Sequence, residues 1–239
     1  MSAVEPFCAV LPLRAGSEPD ARAFFEEVAR RRADEYRACA ERTALSLESW
    51  FCVNVGARGP HLCAYLESAD RVEAASGSED PFDLWFRERM SDLLVAPWSA
   101  EDALGRAELL IRRALPRADG PLERLFAVLP LRPGGAALAR AFMAEVDGDR
   151  SRDYEDCLAR TGVRREAWFL HRDADGRESL ATYCEASDMG FAAHGDEHPF
   201  DRWFRERLSG TTATEFSANN ELSRSRELMT FSDGRLALA

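Results

Sequence analysis

Phe7-Cys-Ala-Val-Leu-Pro-Leu-Arg14 returns later in the chain as Leu125-Phe-Ala-Val-Leu-Pro-Leu-Arg132. Downstream of each, Pro81-Phe-Asp-Leu-Trp-Phe-Arg-Glu-Arg89 returns as Pro199-Phe-Asp-Arg-Trp-Phe-Arg-Glu-Arg207. Pro12 to Pro130 and Pro81 to Pro199 are both 118 positions apart, so the copies align without a gap from Phe7 to about Ser91. That period is far longer than the roughly 20 to 50 residues of a solenoid repeat, and each copy is large enough to hold its own core. The chain reads as a first repeat over 1–115, a linker over 116–124 and a second repeat over 125–239, packed as a pseudo-twofold pair.

Within each copy the apolar patterning gives strand, helix, strand, strand, helix, strand. Phe7 to Leu13 and Leu125 to Leu131 are short apolar runs closed by Arg. The long helix that follows carries Ala21, Phe24, Phe25, Val28, Tyr36 and Cys39 at helical spacing, or Ala139, Phe142, Met143, Val146, Tyr154 and Cys157, with Gly148 expected to kink the second version. Trp50 to Val55 and His61 to Glu67 form a hairpin, repeated by Ala167 to His171 and Ser179 to Glu185 around the turn Asp173-Ala-Asp-Gly176. The second helix starts with Asp80 or His198 at the N-cap, Pro81 or Pro199 at the first helical position and Asp83 or Asp201 at the third. Asp83–Arg87 and Asp201–Arg205 pairs are expected along it, with Phe82, Trp85 and Phe86 on its packing face. Glu108-Leu-Leu-Ile111 and Glu227-Leu-Met-Thr230 are the candidate closing strands.

This βαββαβ order is the split-βαβ, ferredoxin-like unit, an α+β fold. With the duplication and the Glu-Ala-Trp-Phe-Leu and Pro-Phe-Asp-x-Trp-Phe segments, the chain resembles the dimeric α/β-barrel superfamily over nearly its whole length. The resemblance implies two tandem ferredoxin-like domains closing one pseudo-dimeric barrel. The superfamily includes cofactor-free monooxygenases of antibiotic biosynthesis, polyketide cyclases, lactone isomerases and haem enzymes of the chlorite dismutase type, so fold alone does not choose a reaction.

Composition narrows the classes. A formal charge of −11 argues against tracking a phosphate backbone, and no run of about 18 apolar residues is available to span a bilayer. No basic-then-apolar leader opens the chain, which reads as cytoplasmic. The six cysteines lack CxxC spacing and are expected as reduced thiols. Every cationic side chain is Arg, a sign of GC-rich bacterial coding. GxSxG, GxGxxG and P-loop motifs are missing, so nucleophilic-elbow, nicotinamide and phosphoryl-transfer chemistry lose their usual support.

Two patterns carry chemistry. Arg32 and Arg150 fall on the apolar stripe of the long helix, and an inward guanidinium needs a partner, offered on the third strand by Tyr65 and Glu67 or by Tyr183 and Glu185. That cluster reads either as an internal ion pair or as a polar site holding a carboxylate for proton transfer. The second pattern is asymmetry. His171, His194 and His198 replace Val53, Ser76 and Asp80 of the first copy, which points to a working site in the second half, where histidine suits proton exchange near neutrality. His61 reads as an ordinary turn residue.

The expected function is a cofactor-independent cyclase or monooxygenase acting on an aromatic or polyketide-like small molecule. His194 or His198 is the expected base, Glu185 the nearby carboxylate, and Arg150 or Arg132 the cation stabilising an enolate or phenolate. Trp168, Phe169, Tyr183 and Tyr154 are the expected ring-binding surface, with His171 at its rim. The alternatives are a haem or transition-metal redox enzyme, in which His171, His194, His198 and Glu185 supply ligands, and a non-catalytic binding or assembly domain. The string His194-Gly-Asp-Glu-His198 matches the inverted zincin pattern HxxEH, but Gly195 and Pro199 interrupt the continuous helix which that chemistry requires. No nucleic-acid or membrane partner is expected, and the fused pair is compatible with a monomer or a homodimer.

Overall fold

A computed structural model describes residues 4–69, 78–99, 106–116, 120–194, 198–214 and 218–239. The first copy supplies β1 (Glu5–Pro12), α1 (Glu18–Arg31), α2 (Ala33–Arg42), β2 (Leu45–Asn54), β3 (Pro60–Ser68) and α3 (Pro81–Leu93). After it come β4 (Ala107–Ala114), β5 (Glu123–Pro130), α4 (Gly135–Asp147), α5 (Ser151–Thr161), β6 (Val163–Arg172) and β7 (Glu178–Ala186). The chain closes with α6 (Met189–His194), α7 (Pro199–Ser209), α8 (Ala218–Arg224), β8 (Ser225–Ser232) and β9 (Arg235–Leu238). This is the α+β, tandem ferredoxin-like architecture, with a mixture of helices and two sheets ordered β1-β3-β2-β8-β9 and β4-β6-β7-β5.

The closing strands are exchanged. β4 follows the first copy yet joins β6 in the second copy's sheet, and β8 joins β2 in the first copy's sheet. The compact units are accordingly Met1–Ala107 with Arg226–Ala239, and Glu108–Ser225, a different division from 1–115 and 125–239. The two copies present equivalent edges at β2 and β6, and the exchanged strands β8 and β4 pair with them.

Each sheet carries its helices on one face. In unit 1 the helix-facing core joins Phe24, Phe25, Val28, Tyr36, Trp50, Leu62 and Phe82 to Met229 and Phe231 from β8. In unit 2 it joins Phe142, Met143, Val146, Tyr154, Trp168, Leu180 and Phe200. Because strand side chains alternate, Phe126, Phe169, His171, Tyr183 and Glu185 lie on the other face of the unit 2 sheet, and they are also buried.

The long helix is broken in both copies, not merely kinked in one. Arg32 (φ −124°) separates α1 from α2 and Arg150 (φ −116°) separates α4 from α5. Gly148 cannot be the common cause, since position 30 of the first copy is Arg. At each break the guanidinium grips the first turn of the next helix, Arg32 on Glu35 at 2.7 Å and Arg150 on Asp153 at 2.8 Å, and lies over an indole, Trp85 at 3.9 Å or Trp203 at 4.2 Å. The second helices start as their sequence indicates, with the Phe82 N–H donating to Asp80 Oδ1 at 2.9 Å and the Phe200 N–H to His198 Nδ1 at 3.3 Å. First-turn carboxylates of these helices also reach back to earlier ones: Asp83 takes Arg42 of α2 at 3.1 Å and Asp201 takes Arg160 of α5 at 2.6 Å. Among the described residues no helix is long and apolar enough to cross a membrane.

Candidate functional site

Unit 2 holds a cavity of about 120 Å³ between its sheet and its helices. The floor is two adjacent cross-strand rows. Glu166 pairs with Cys184 and Cys184 with Leu125, while Trp168 pairs with Thr182 and Thr182 with Ala127. The walls come from Tyr154 and Leu158 of α5, Met189 and Ala192 of α6, Phe200 and Phe204 of α7, and Glu221 of α8. The Tyr154 ring stacks on Phe204, centroids 5.9 Å apart. The enclosure is mostly apolar and aromatic with a few polar groups, the usual composition of a small-molecule site.

The equivalent floor in unit 1 is bulkier. Its rows are Glu48–Leu66–Phe7 and Trp50–Ala64–Ala9, so Leu and Phe stand where unit 2 has Cys184 and Leu125. Phe231 also packs on the Tyr36 ring at 5.6 Å. The difference shows in the carboxylates. Glu48 is 9% exposed, whereas Glu166 is set as deeply among protein atoms but keeps intermediate exposure, because the cavity reaches it.

Glu166 is the electrostatic centre of the cavity. The Tyr154 hydroxyl donates to its Oε2, and the Trp168 indole N–H points toward the same carboxylate without reaching hydrogen-bond geometry. Burial raises the Glu166 pKa, and the Tyr154 and Trp168 groups only partly offset that shift. In unit 1 the same environment, with Tyr36 donating to Glu48, pushes Glu48 up to about 7. Burial and the adjacent Glu166 charge push the Tyr154 phenol well above its ordinary value. Burial likewise pushes up the Cys157 and Cys184 thiols, which leaves them protonated and unsuited to nucleophilic attack. Glu221, raised by burial, accepts from Arg224 at 3.1 Å.

The sequence-derived candidates separate into groups. Tyr154 and Trp168 line the cavity. Phe169, Tyr183, His171 and Glu185 are on the opposite face of the sheet, so the ring-binding set of Trp168, Phe169 and Tyr183 does not form: neighbours along a strand point to opposite sides. Glu185 does accept from Tyr183 at 2.7 Å, but its cations are Arg124 and Arg165, each at 3.2 Å, and not Arg150. Arg150 is held by Asp153, Phe200 and Trp203 on the helix side. His171 pairs with Ser179 at the far end of the sheet, and Arg132 is exposed beyond the end of β5. His198 is exposed at the start of α7, whose Phe200 and Asp201 line the cavity. His194 ends α6, beside Ala192; its side chain, like residues 195–197 of the HxxEH string, lies outside the described residues. With α6 ending at His194 and α7 starting at Pro199, the two histidines do not share one helix. Among the described residues no three His, Cys, Asp or Glu side chains converge as a metal site.

Glu166 was missed because the second strand starts at Val163 and not at Ala167, which brings the glutamate inside the strand on the helix-facing side. The visible signal was a repeated Glu-x-Trp: Glu48 with Trp50, Glu166 with Trp168, again 118 positions apart.

No family model matches the chain, and no curated protein matches it by sequence. Solved structures do match its fold. A provisionally assigned monooxygenase from Fusobacterium nucleatum subsp. nucleatum is 8% identical with a TM-score of 0.57, covering 100% of both chains. A second provisionally assigned monooxygenase, from Lactobacillus acidophilus, is 11% identical with a TM-score of 0.49, covering 98% of this chain and 96% of that one. An anthrone oxidase-like protein is 12% identical with a TM-score of 0.46, covering 98% and 95%. The likeness to the first defines the class: an α+β fold shared end to end with a protein assigned as a monooxygenase. At such low identity it defines the fold and no more.

Proposed function

We propose that the chain is a small-molecule enzyme of monooxygenase type whose working site is the helix–sheet cavity of unit 2, with Glu166 as the base. The observation that carries this reading is a raised-pKa carboxyl open to a mostly apolar cavity, where its counterpart Glu48 in the other unit is buried. A raised pKa makes the ionised carboxylate a stronger base than an ordinary glutamate, as general-base catalysis near neutrality needs. At about 120 Å³ the cavity is somewhat smaller than one of about 150 Å³ that holds benzene, so it takes at most one compact ring of the substrate. Among the described residues no histidine lines it to ligate a haem.

The chemistry suited to these groups is oxidation of an activated methylene by dioxygen, with no further cofactor. Glu166 takes one methylene proton, the carbanion passes electrons to dioxygen, and loss of water from the resulting hydroperoxide leaves a ketone. Methylene plus dioxygen gives carbonyl plus water, so atoms and electrons balance. The test is dioxygen uptake with phenylacetone as the probe, comparing wild type with Glu166→Gln. Uptake that falls by about a hundredfold or more in the variant supports the reading. Equal uptake in both proteins, or none above the buffer rate in wild type, overturns it.

A further inference from the structure

At the cavity floor the Thr182 hydroxyl has no hydrogen-bond partner, and the Trp168 indole N–H, directed toward the Glu166 carboxylate, falls short of hydrogen-bond geometry. Thr182 is 6% exposed and Trp168 4%, and both line the cavity. They are direct cross-strand neighbours on the helix-facing side, which sets their Cβ atoms about 5 Å apart. Protein interiors rarely leave such groups unmet, and each orphan carries a desolvation cost that a bound polar atom removes. The indole is a donor only, and the threonine hydroxyl donates readily once an acceptor is present. Two adjacent donors suit a single oxygen with two lone pairs. In unit 1 the threonine is replaced by Ala64, so only the unit with room for a ligand has the pair.

We propose that Thr182 and Trp168 form a recognition point for a carbonyl oxygen, so that the unit 2 cavity selects ring compounds bearing a ketone over hydrocarbons of the same shape. The inference rests on the reading of this cavity as the working site and names its substrate class. Glu166 lies one pleat along β6 from Trp168 on the same side, so a ketone oxygen at the Thr182–Trp168 pair directs its adjacent C–H toward the carboxylate. As that proton leaves, charge moves onto the oxygen, and the two donors stabilise the enolate as it develops. Thr182 is then the specificity-determining residue and Glu166 the base.

The test compares binding of acetophenone with that of its isostere α-methylstyrene, in which a methylene replaces the ketone oxygen, by titration calorimetry. Thr182→Val keeps the shape and removes the hydroxyl. It is expected to weaken acetophenone binding roughly three- to tenfold, the loss of one neutral hydrogen bond, and to leave α-methylstyrene binding unchanged. Thr182→Ser restores the preference. A purely structural role for Thr182 would shift both ligands alike, and that result overturns the proposal. So does a wild type that does not discriminate between the two, or that binds neither at millimolar concentration. If Glu166→Gln abolishes dioxygen uptake while Thr182→Val leaves the ketone preference intact, this inference falls and the proposed reaction stands. The reverse pattern removes the reaction and keeps the recognition site.

Discussion

Replacing Glu48 by Gln is expected to stabilise the protein at pH 8 but not at pH 4.5, and the size follows from the burial of that side chain. Burial raises the Glu48 pKa from an ordinary 4.5 to about 7, with the nearby Trp50 indole N–H acting in the opposite sense. A carboxyl whose folded pKa lies above its unfolded value holds its proton more tightly in the folded state. Its contribution to stability is therefore complete below about pH 4.5 and is lost as pH rises through about 7. At about 1.4 kcal/mol per pKa unit the loss reaches about 3 kcal/mol. Glutamine does not titrate, yet its carbonyl still accepts from the Tyr36 hydroxyl, which donates to Glu48 in the wild type. The difference in unfolding free energy between Glu48→Gln and wild type should thus widen by about 3 kcal/mol between pH 4.5 and 8, read from urea denaturation at each pH. Raised carboxyls that remain in both proteins, Glu166 and Glu221, cancel in the difference. Asp83, Glu108 and Asp173 have lowered pKa values, so their stabilising effect is lost only as pH falls below this window. A difference that stays constant across the window would show that Glu48 is not held protonated, and the electrostatic account of Glu166 would fail with it.

Giving unit 2 the floor of unit 1, by Leu125→Phe with Cys184→Leu, should abolish acetophenone binding and raise the urea midpoint. Filling the 120 Å³ cavity at about 24 cal/mol per Å³ sets an upper limit of about 3 kcal/mol on the gain. Retained binding with a lowered midpoint would contradict the packing comparison. His198→Asp, which installs the cap used by Asp80, and Arg150→Ala should both leave acetophenone affinity unchanged in calorimetry, with Arg150→Ala costing about 1 kcal/mol through its lost stacking on Trp203. Loss of binding in either variant would return the site to the histidine-and-arginine set.

Much of the fold was legible because its signals are local or repeated. The 118-residue offset located both copies, and the Asp80-Pro and His198-Pro starts marked the second helices through capping chemistry that acts within three residues. The strand exchange was not legible, since β4 and β8 find their partners through non-local pairing. The helix breaks were hidden for another reason. Arg32 and Arg150 continue the helical spacing, and only the nearby indoles and the acids three residues on show why they stand outside it. At the site, Tyr154 and Trp168 were found as apolar-stripe and strand residues. Glu166 was lost to a strand start placed four residues late, and Phe169, Tyr183 and Glu185 were joined to the wrong face although a period of two separates them from Trp168.

Carrying the frame twice in one chain lets a carboxylate that costs stability be present twice and open to a cavity once. Two identical subunits would carry the same cavity or the same filling, whereas a fused chain lets the two frames differ. The Tyr-Glu-Trp trio is common to both units, so the difference lies in what surrounds it. Phe7, Leu66 and Phe231 close over Glu48 and turn its frame into ordinary core, while Leu125, Cys184 and Thr182 leave Glu166 accessible and add an unpaired hydroxyl beside Trp168. Trimming volume and adding an unsatisfied donor both destabilise a fold, and both occur in the same unit at adjacent positions. The proposed oxygen-bearing ring would offset both costs at once, which a packing role for that floor would not.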